Sequence, residues 1–334
     1  MSKITAIKRL GRLINNNSAE LNKDDYKLEW FKGSKEDWQQ YSEMVVKTNL
    51  LQSWAYGKAK EESEGWRVKR GLIKHNGNII AIFQALEKSW FFFGVIRINR
   101  GPMLINGNDN FEIKYNIYKV LRKTIKWWKG KILLIAPELI DIPGNDEILV
   151  LSNYWRRKIN PYKSIWLDLS QPVDKLRSNL KASWRRNLLK SEKKNMSIEV
   201  TNNERDFKWI MKKYNYLMKK NNFTGSKEKL ITEFYLSNME NCFIFKVSIS
   251  NEPLAGVLMV KHGFAFTYWV GWNGDKGRDF RANHFLFWNV ILEMKKLGCL
   301  VFDVGGLDEE NTPGITQFKR GLGGEEYTLV GEWI

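Results

Sequence analysis

Cysteine is nearly absent: Cys242 and Cys299 are the only two in 334 residues. Their separation excludes a local CxxC pair, a disulfide framework and a cysteine-built zinc site, and it fits a reducing cytoplasm. Histidine is as scarce. His75, His262 and His284 form neither HExxH nor any other tight metal spacing, and they read as structural. No apolar run approaches the roughly 18 residues of a membrane-spanning helix; the longest are residues 90–96 and the interrupted run 285–292. Near the start, Lys8, Arg9 and Arg12 break up residues 4–14, so the continuous core of a signal peptide is missing. Ile4, Ile7, Leu10 and Ile14 would line one face of a short basic surface helix, or belong to a frayed tail over residues 1–23.

Negative charge is also in short supply. Lys and Arg outnumber Asp and Glu by 54 to 37, a net charge of +17, which points to a polyanionic partner: nucleic acid, nucleotide phosphates or an anionic membrane surface. At 43% hydrophobic and 27% charged, the chain is too apolar for disorder and long enough for two domains.

Periodicity then sets the order of elements. A strand over residues 27–31 precedes a helix with Trp38, Tyr41, Met44 and Val45 on one face and a second helix near residues 54–62. Three strands follow, over 67–74, 79–87 and 90–98, the first two joined at Asn76-Gly77, a pair suited to a tight hairpin. A helix over 112–128 and a strand over 132–136 end the series. About 170 residues on, the order returns: strand 197–201, helices 206–219 and 230–236, strands 243–249, 254–261 and 264–271, helix 282–297 ending at Gly298, strand 299–304. Between the copies lie a strand over 165–169 and one helix with Val173, Leu176, Leu180, Trp184 and Leu188 on its buried face. The remaining faces of that helix, with Arg177, Lys181 and Arg185 stacked at four-residue spacing, are strongly basic.

A strand, two helices, three antiparallel strands, a helix and a strand, written twice, resembles a tandem pair of GCN5-related N-acetyltransferase (GNAT) domains. The fold class expected is α/β, with two mixed sheets flanked by helices. The first domain would span residues 24–163, completed by 325–334, and the second 164–324. Acyl-CoA enzymes of that fold hold pyrophosphate on a Gly-rich turn before a helix. Here the second copy reads GWNGDKGRDFRANHF, with Gly271, Gly274 and Gly277 but Asp279, Phe280, Arg281 and Ala282 directly before the helix, which argues against a CoA donor.

Three segments carry a more specific resemblance. VFDVGGLDEENTPGITQFKRGLGGE (residues 301–325), LQSWAYGKAK (51–60) and SIWLDLSQPVDKLRSNLKASWRRNLLK (164–190) are similar to motifs of the Fem (FemABX) peptidyl aminoacyltransferases. The helices over 206–236 leave no room for the coiled-coil arm of some members, so the likeness is to the armless branch. The resemblance implies a transfer of an aminoacyl group from aminoacyl-tRNA to an amine on the stem peptide of a peptidoglycan precursor, lipid II or UDP-MurNAc-pentapeptide. No metal and no cofactor would be needed, aminoacyl-tRNA being a co-substrate, and both substrates are polyanions. The site would be cytoplasmic, with peripheral contact to an anionic membrane.

By the same resemblance Lys319 stabilises the developing oxyanion or the leaving ribose oxygen, and Phe318 positions the acceptor end. Trp54 and Lys58 are candidate substrate contacts, Lys58 for the precursor phosphates. Where the family uses an Arg for those phosphates, the stretch 224–230 offers Lys227, which lacks the guanidinium fork and leaves the acceptor open. Asp303 would orient the amine or bond turn amides. Arg185, Arg186 and Arg281 are candidate tRNA contacts by charge. Taken alone, Lys319 and Arg320 read as solvated residues before the turn Gly321 to Gly324. Two other readings stand beside the Fem one: an N-acyltransferase or amino-acid-adding enzyme of the same fold with a non-cell-wall acceptor, and a basic nucleic-acid-binding or membrane-surface protein without catalysis.

Overall fold

A computed structural model describes residues 25–334 apart from 92, 108, 126–129 and 222. The residues expected to form an N-terminal tail or basic helix, and the Trp127-Trp128 pair, lie outside the described residues. In chain order the elements are β1 (Tyr26–Trp30), α1 (Lys35–Glu43), α2 (Trp54–Glu64), β2 (Arg67–His75), β3 (Asn78–Trp90), β4 (Phe93–Asn99), β5 (Met103–Leu104), α3 (Phe111–Thr124), β6 (Lys131–Ala136) and α4 (Asn145–Leu151). Then come β7 (Lys163–Asp168), α5 (Val173–Asn179), α6 (Ala182–Glu192), β8 (Ser197–Thr201), α7 (Glu204–Asn221), α8 (Glu228–Ser237), β9 (Cys242–Ile249), β10 (Glu252–His262) and β11 (Ala265–Asn273). The chain closes with α9 (Asp275–Asp279), α10 (Ala282–Lys296), β12 (Val301–Asp303), α11 (Pro313–Arg320) and β13 (Glu325–Thr328).

Contacts divide these elements into two compact units, each built on its own mixed sheet. The first holds the described residues up to Val46, with Trp66–Pro161 and Leu329–Ile334. Its sheet runs β1-β2-β3-β4-β6, with β5 on β3, and is antiparallel except where β4 and β6 run parallel. Amphipathic α3, capped by Asn110 accepting from the Ile113 amide, lays Ile117 and Leu121 against Ile73, Phe83 and Ile96, and Trp333 of the returning C-terminus completes this core.

The second unit holds Lys47–Gly65 and Tyr162–Thr328. Its sheet runs β13-β7-β12-β11-β10-β9-β8, and β11 and β12 form its one parallel pair among the described strands. One face packs against α5, α6 and α10 through Leu176, Trp184, Leu188 and Leu286; the other packs against α2, α7 and α8 through Ala59, Phe207, Ile210 and Phe234. The parallel pair is short. Ala265, Phe266 and Thr267 align with Val301, Phe302 and Asp303, after which the chain turns away at Gly305 while β11 continues to Asn273 on β10 alone. The gap left between two diverging strands is the feature on which the site is built.

Both units thus carry the mixed α/β, acetyltransferase-like order expected from the repeat, with three differences. The continuous first domain expected over residues 24–163 is interrupted, because α2 packs on α8, and β13 pairs with β7 in the second sheet. The single helix expected across Val173 to Leu188 is two helices. Leu180 and Lys181 are extended at ψ 138 and ψ 146, because the Lys181 amide donates to Gly321 O (2.9 Å) and the chain must pass the Gly321 to Gly324 turn. Val173 accordingly leaves the buried face and is exposed. Finally, β3 extends to Trp90, so the turn expected before that residue falls after it.

Candidate active site

Short α11 carries the residues the resemblance singled out. Pro313 begins it, since a missing N–H costs nothing in a first turn, and Thr316 and Lys319, three residues apart, share its buried face. Thr316 Oγ1 bonds the backbone of Asp308, so the loop and the helix are tied to each other. Lys319 is therefore not a solvated residue before a turn: it is only 5% exposed. Its Nζ donates to Gly306 O at 2.8 Å and lies 5.1 Å from the centre of the Tyr268 ring. Burial pushes its pKa down to about 8, against the upward pull of the Asp303 carboxylate.

Asp303 ends β12 and is almost wholly buried. Its Oδ1 accepts from Ser164 Oγ (2.5 Å) and the Gly305 amide (3.0 Å), and its Oδ2 from Tyr327 OH (3.2 Å). These bonds fix the turn whose next carbonyl, Gly306 O, receives Lys319. Gly305 is required there: it sits at φ 75, and a Cβ would stand 2.9 Å from Tyr268 O. The acidic loop is spent on structure. Asp308 accepts from the Glu310 and Asn311 amides, and Glu309 and Glu326 clamp Arg320.

Where β11 and β12 part there is a cavity of about 450 Å³, lined by Tyr268, Gly271, Trp272 and Asn273 of β11, the start of α10, and Gly314, Ile315, Phe318 and Lys319 of α11. Phe318 packs its ring between Trp184, His284 and Phe287, with centroids 5.6, 5.1 and 5.1 Å away. Arg278 and Arg281 stand at the same cavity, Arg281 at φ 57 as the residue before α10, with Nε donating to Asn187 Oδ1 (2.9 Å). Three buried polar atoms of its lining residues have no protein partner: Asn273 Oδ1, Asn283 Oδ1 and His284 Nδ1. Burial lowers the His284 pKa to about 4, against the upward pull of a contact with the Arg281 backbone and with a smaller push from the Arg281 charge, so its imidazole is neutral near pH 7. Sequence reasoning passed over His284 and both asparagines, since a lone His before a Phe at the start of an apolar helix carries no spacing signal.

The cavity therefore brings together Lys319, Phe318 and Arg281 of the predicted set. Asp303 supports it from behind. Lys58, exposed on α2, is paired with Glu62 at 2.6 Å, and Lys227 is exposed at the head of α8; neither lines this cavity, nor does half-buried Trp54. Arg185 turns its guanidinium inward to Ser178 O (2.8 Å) and Leu180 O, capping α5 across the helix break, whereas Arg186 is exposed.

Two mixed sheets, each with one splayed or terminal parallel pair, define a tandem GNAT-like protein. The comparisons then narrow this class. Residues 240–334, which contain α10, the Asp303 turn and α11, match the FemAB family. The crystal structure of FemX superposes with a TM-score of 0.77 at 15% identity, covering 91% of this chain and 96% of that one. A conserved protein of unknown function from Bacteroides thetaiotaomicron superposes at 0.60 and 9% identity, covering 92% and 98%. The C-terminal domain of a putative lysylphosphatidylglycerol synthetase from Agrobacterium fabrum superposes at 0.52 and 12% identity, covering 90% and 91%. No curated protein sequence matches the chain. The Fem resemblance read from the sequence is thus borne out by family over 240–334 and by fold over nearly the whole chain.

Proposed function

We propose that the chain is an aminoacyltransferase that moves an aminoacyl group from aminoacyl-tRNA to an amine on the stem peptide of a peptidoglycan precursor. The observation that carries this reading is Lys319: a buried cation, held by Gly306 O at a cavity of about 450 Å³, within the segment that matches the FemAB family.

The chemistry asks for little beyond placement. The acceptor nitrogen attacks the ester carbonyl, a C–N bond forms, the C–O bond to the ribose breaks, and the proton the nitrogen gives up balances the one the leaving ribose oxygen takes. Negative charge grows first on the carbonyl oxygen and then on the ribose oxygen. An ammonium near pKa 8 is largely charged at pH 7, and being acidic for a lysine it can also deliver its proton to the leaving oxygen. The two asparagine oxygens, Asn273 Oδ1 and Asn283 Oδ1, each buried without a protein partner, offer acceptors to the N–H groups of donor or acceptor amines, and neutral His284 stands beside them. Arg281 supplies positive charge at the cavity for the phosphates of the tRNA end, whereas Arg278 beside it is paired with Asp275.

The test is transfer of labelled amino acid from aminoacyl-tRNA to UDP-MurNAc-pentapeptide or lipid II, with RNase-treated and acetyl-CoA reactions in parallel. RNase-sensitive transfer that Lys319→Ala lowers by about 100-fold or more supports the reading. Label moving only from acetyl-CoA overturns it. Charged tRNA bound without transfer to either precursor would place the acceptor outside the cell wall.

A further inference from the structure

The first unit has two hairpins with a common strand, and they are built from opposite chemistry. Between β2 and β3, His75 pairs with Asn78, and Asn76 (φ 49) and Gly77 (φ 84) make the turn. Those are residues that accept a left-handed backbone readily. Between β3 and β4, Trp90 pairs with Phe93, and the left-handed position at φ 47 is filled by Phe91. A bulky aromatic residue there is disfavoured. It also gains nothing from burial: Phe91 is 104% exposed, Phe93 74% and Trp90 57%. Ile132, on the neighbouring strand β6, extends the apolar surface.

The surroundings are basic. The ends of β2, β3 and β6 around this tip carry Arg67, Lys69, Lys88 and Lys131 against one acid, Glu87, which is buried and already bonded to Lys69 and Lys131. A convex aromatic tip exposes its rings on several sides at once. A flat protein partner would cover one of those sides, whereas a fluid interface encloses them all. Aromatic side chains with a ring of Lys and Arg behind them match the headgroup region of an anionic bilayer.

We propose that the β3–β4 tip is a membrane anchor that inserts Trp90, Phe91 and Phe93 into the interface of an anionic bilayer, with Arg67 and Lys88 resting on the headgroups. The anchor is a property of this hairpin alone and does not depend on aminoacyl transfer.

The experiment is co-sedimentation of the full chain with vesicles of phosphatidylglycerol and phosphatidylcholine, and with vesicles of phosphatidylcholine alone, none containing tRNA or precursor. The wild-type chain is expected on the anionic vesicles, with binding weakened by added salt. The double variant F91N/F93S is expected to bind about tenfold more weakly or worse. Phe91→Asn alone keeps the test readable, because asparagine suits φ 47 and should leave thermal stability unchanged or raised while weakening binding. Equal binding by wild type and double variant would reduce the contact to charge and overturn the anchor, as would a wild-type chain that stays in the supernatant. A wild-type dimer that F91N/F93S converts to monomer would make the tip a self-interface instead.

Discussion

At the scale of single residues, the unusual feature is a lysine kept out of water. Its depressed pKa means that the folded state resists protonating it, and the sign of the linkage follows. Between about pH 8 and 10.5 the unfolded chain binds the proton and the folded chain does not, so stability contributed by this position rises with pH across that window and is lowest below it. Lys319→Met, close in length and uncharged, should therefore stabilise the fold at pH 7 relative to pH 10, net of the lost bond to Gly306 O. Urea denaturation at the two pH values would read this, and an advantage for the Met variant that is larger at pH 10 would contradict the assignment. Catalysis should move the other way: if the charged form acts, turnover falls as pH rises through about 8. Asp303→Asn tests the support behind it. An amide nitrogen would face the Gly305 N–H or leave Ser164 or Tyr327 unmatched, a loss of roughly 1–3 kcal/mol in a thermal or chemical melt. Resemblance located Lys319 in the sequence, but its burial was not legible. A lysine followed by arginine and a glycine run looks solvated, and only the pairing of Arg320 with Glu309 and Glu326 shows how one cation stays outside while its neighbour turns in.

At the scale of elements, strands were the most legible part, since alternating apolar residues and turn pairs such as Asn76-Gly77 are local signals. What escaped was decided by distant contacts. The sequence from Val173 to Leu188 has helical periodicity throughout, yet Gly323, at φ 76, packs so closely under Asn179 that a Cβ would lie 2.0 Å from its carbonyl oxygen. The chain opens there, and Lys181 bonds Gly321 instead of continuing the helix. Arg185, spent on Ser178 and Leu180, then holds the end of α5. The break and the turn after α11 are one device that brings Trp184 onto Phe318 and so shapes a wall of the cavity. Gly323→Ala should cost about 1–3 kcal/mol from backbone strain alone, with more from the clash. It should also lower transfer with a larger effect on kcat than on tRNA affinity. Unchanged stability would mean that the turn moves freely, and the coupling between α5, α6 and α11 would fall.

At the scale of the whole molecule, a net charge of +17 has to be located before it explains anything. Part of it is absorbed in pairs, such as Arg177 with Glu192 and Lys246 with Glu199 and Asp206. The α5–α6 pair, by contrast, presents Lys175, Lys181, Arg186, Lys190 and Lys193 as exposed residues on and around the helices whose Trp184 packs on Phe318. If tRNA lies along this face, its affinity falls with salt in proportion to the phosphates neutralised. Each side chain that touches a phosphate contributes about one unit to the slope of log affinity against log salt. The variant R186E/K190E should then weaken tRNA binding and flatten that slope by about two units, leaving turnover at saturating tRNA nearly unchanged. The matched control K32E/K158E makes the same change in net charge at exposed positions of the other unit. Should both variants lose affinity equally, the chain attracts tRNA through its overall field, and α5–α6 is no more than a share of it. A loss confined to R186E/K190E, with the slope altered as expected, would place the path of the RNA on the same unit that buries Lys319.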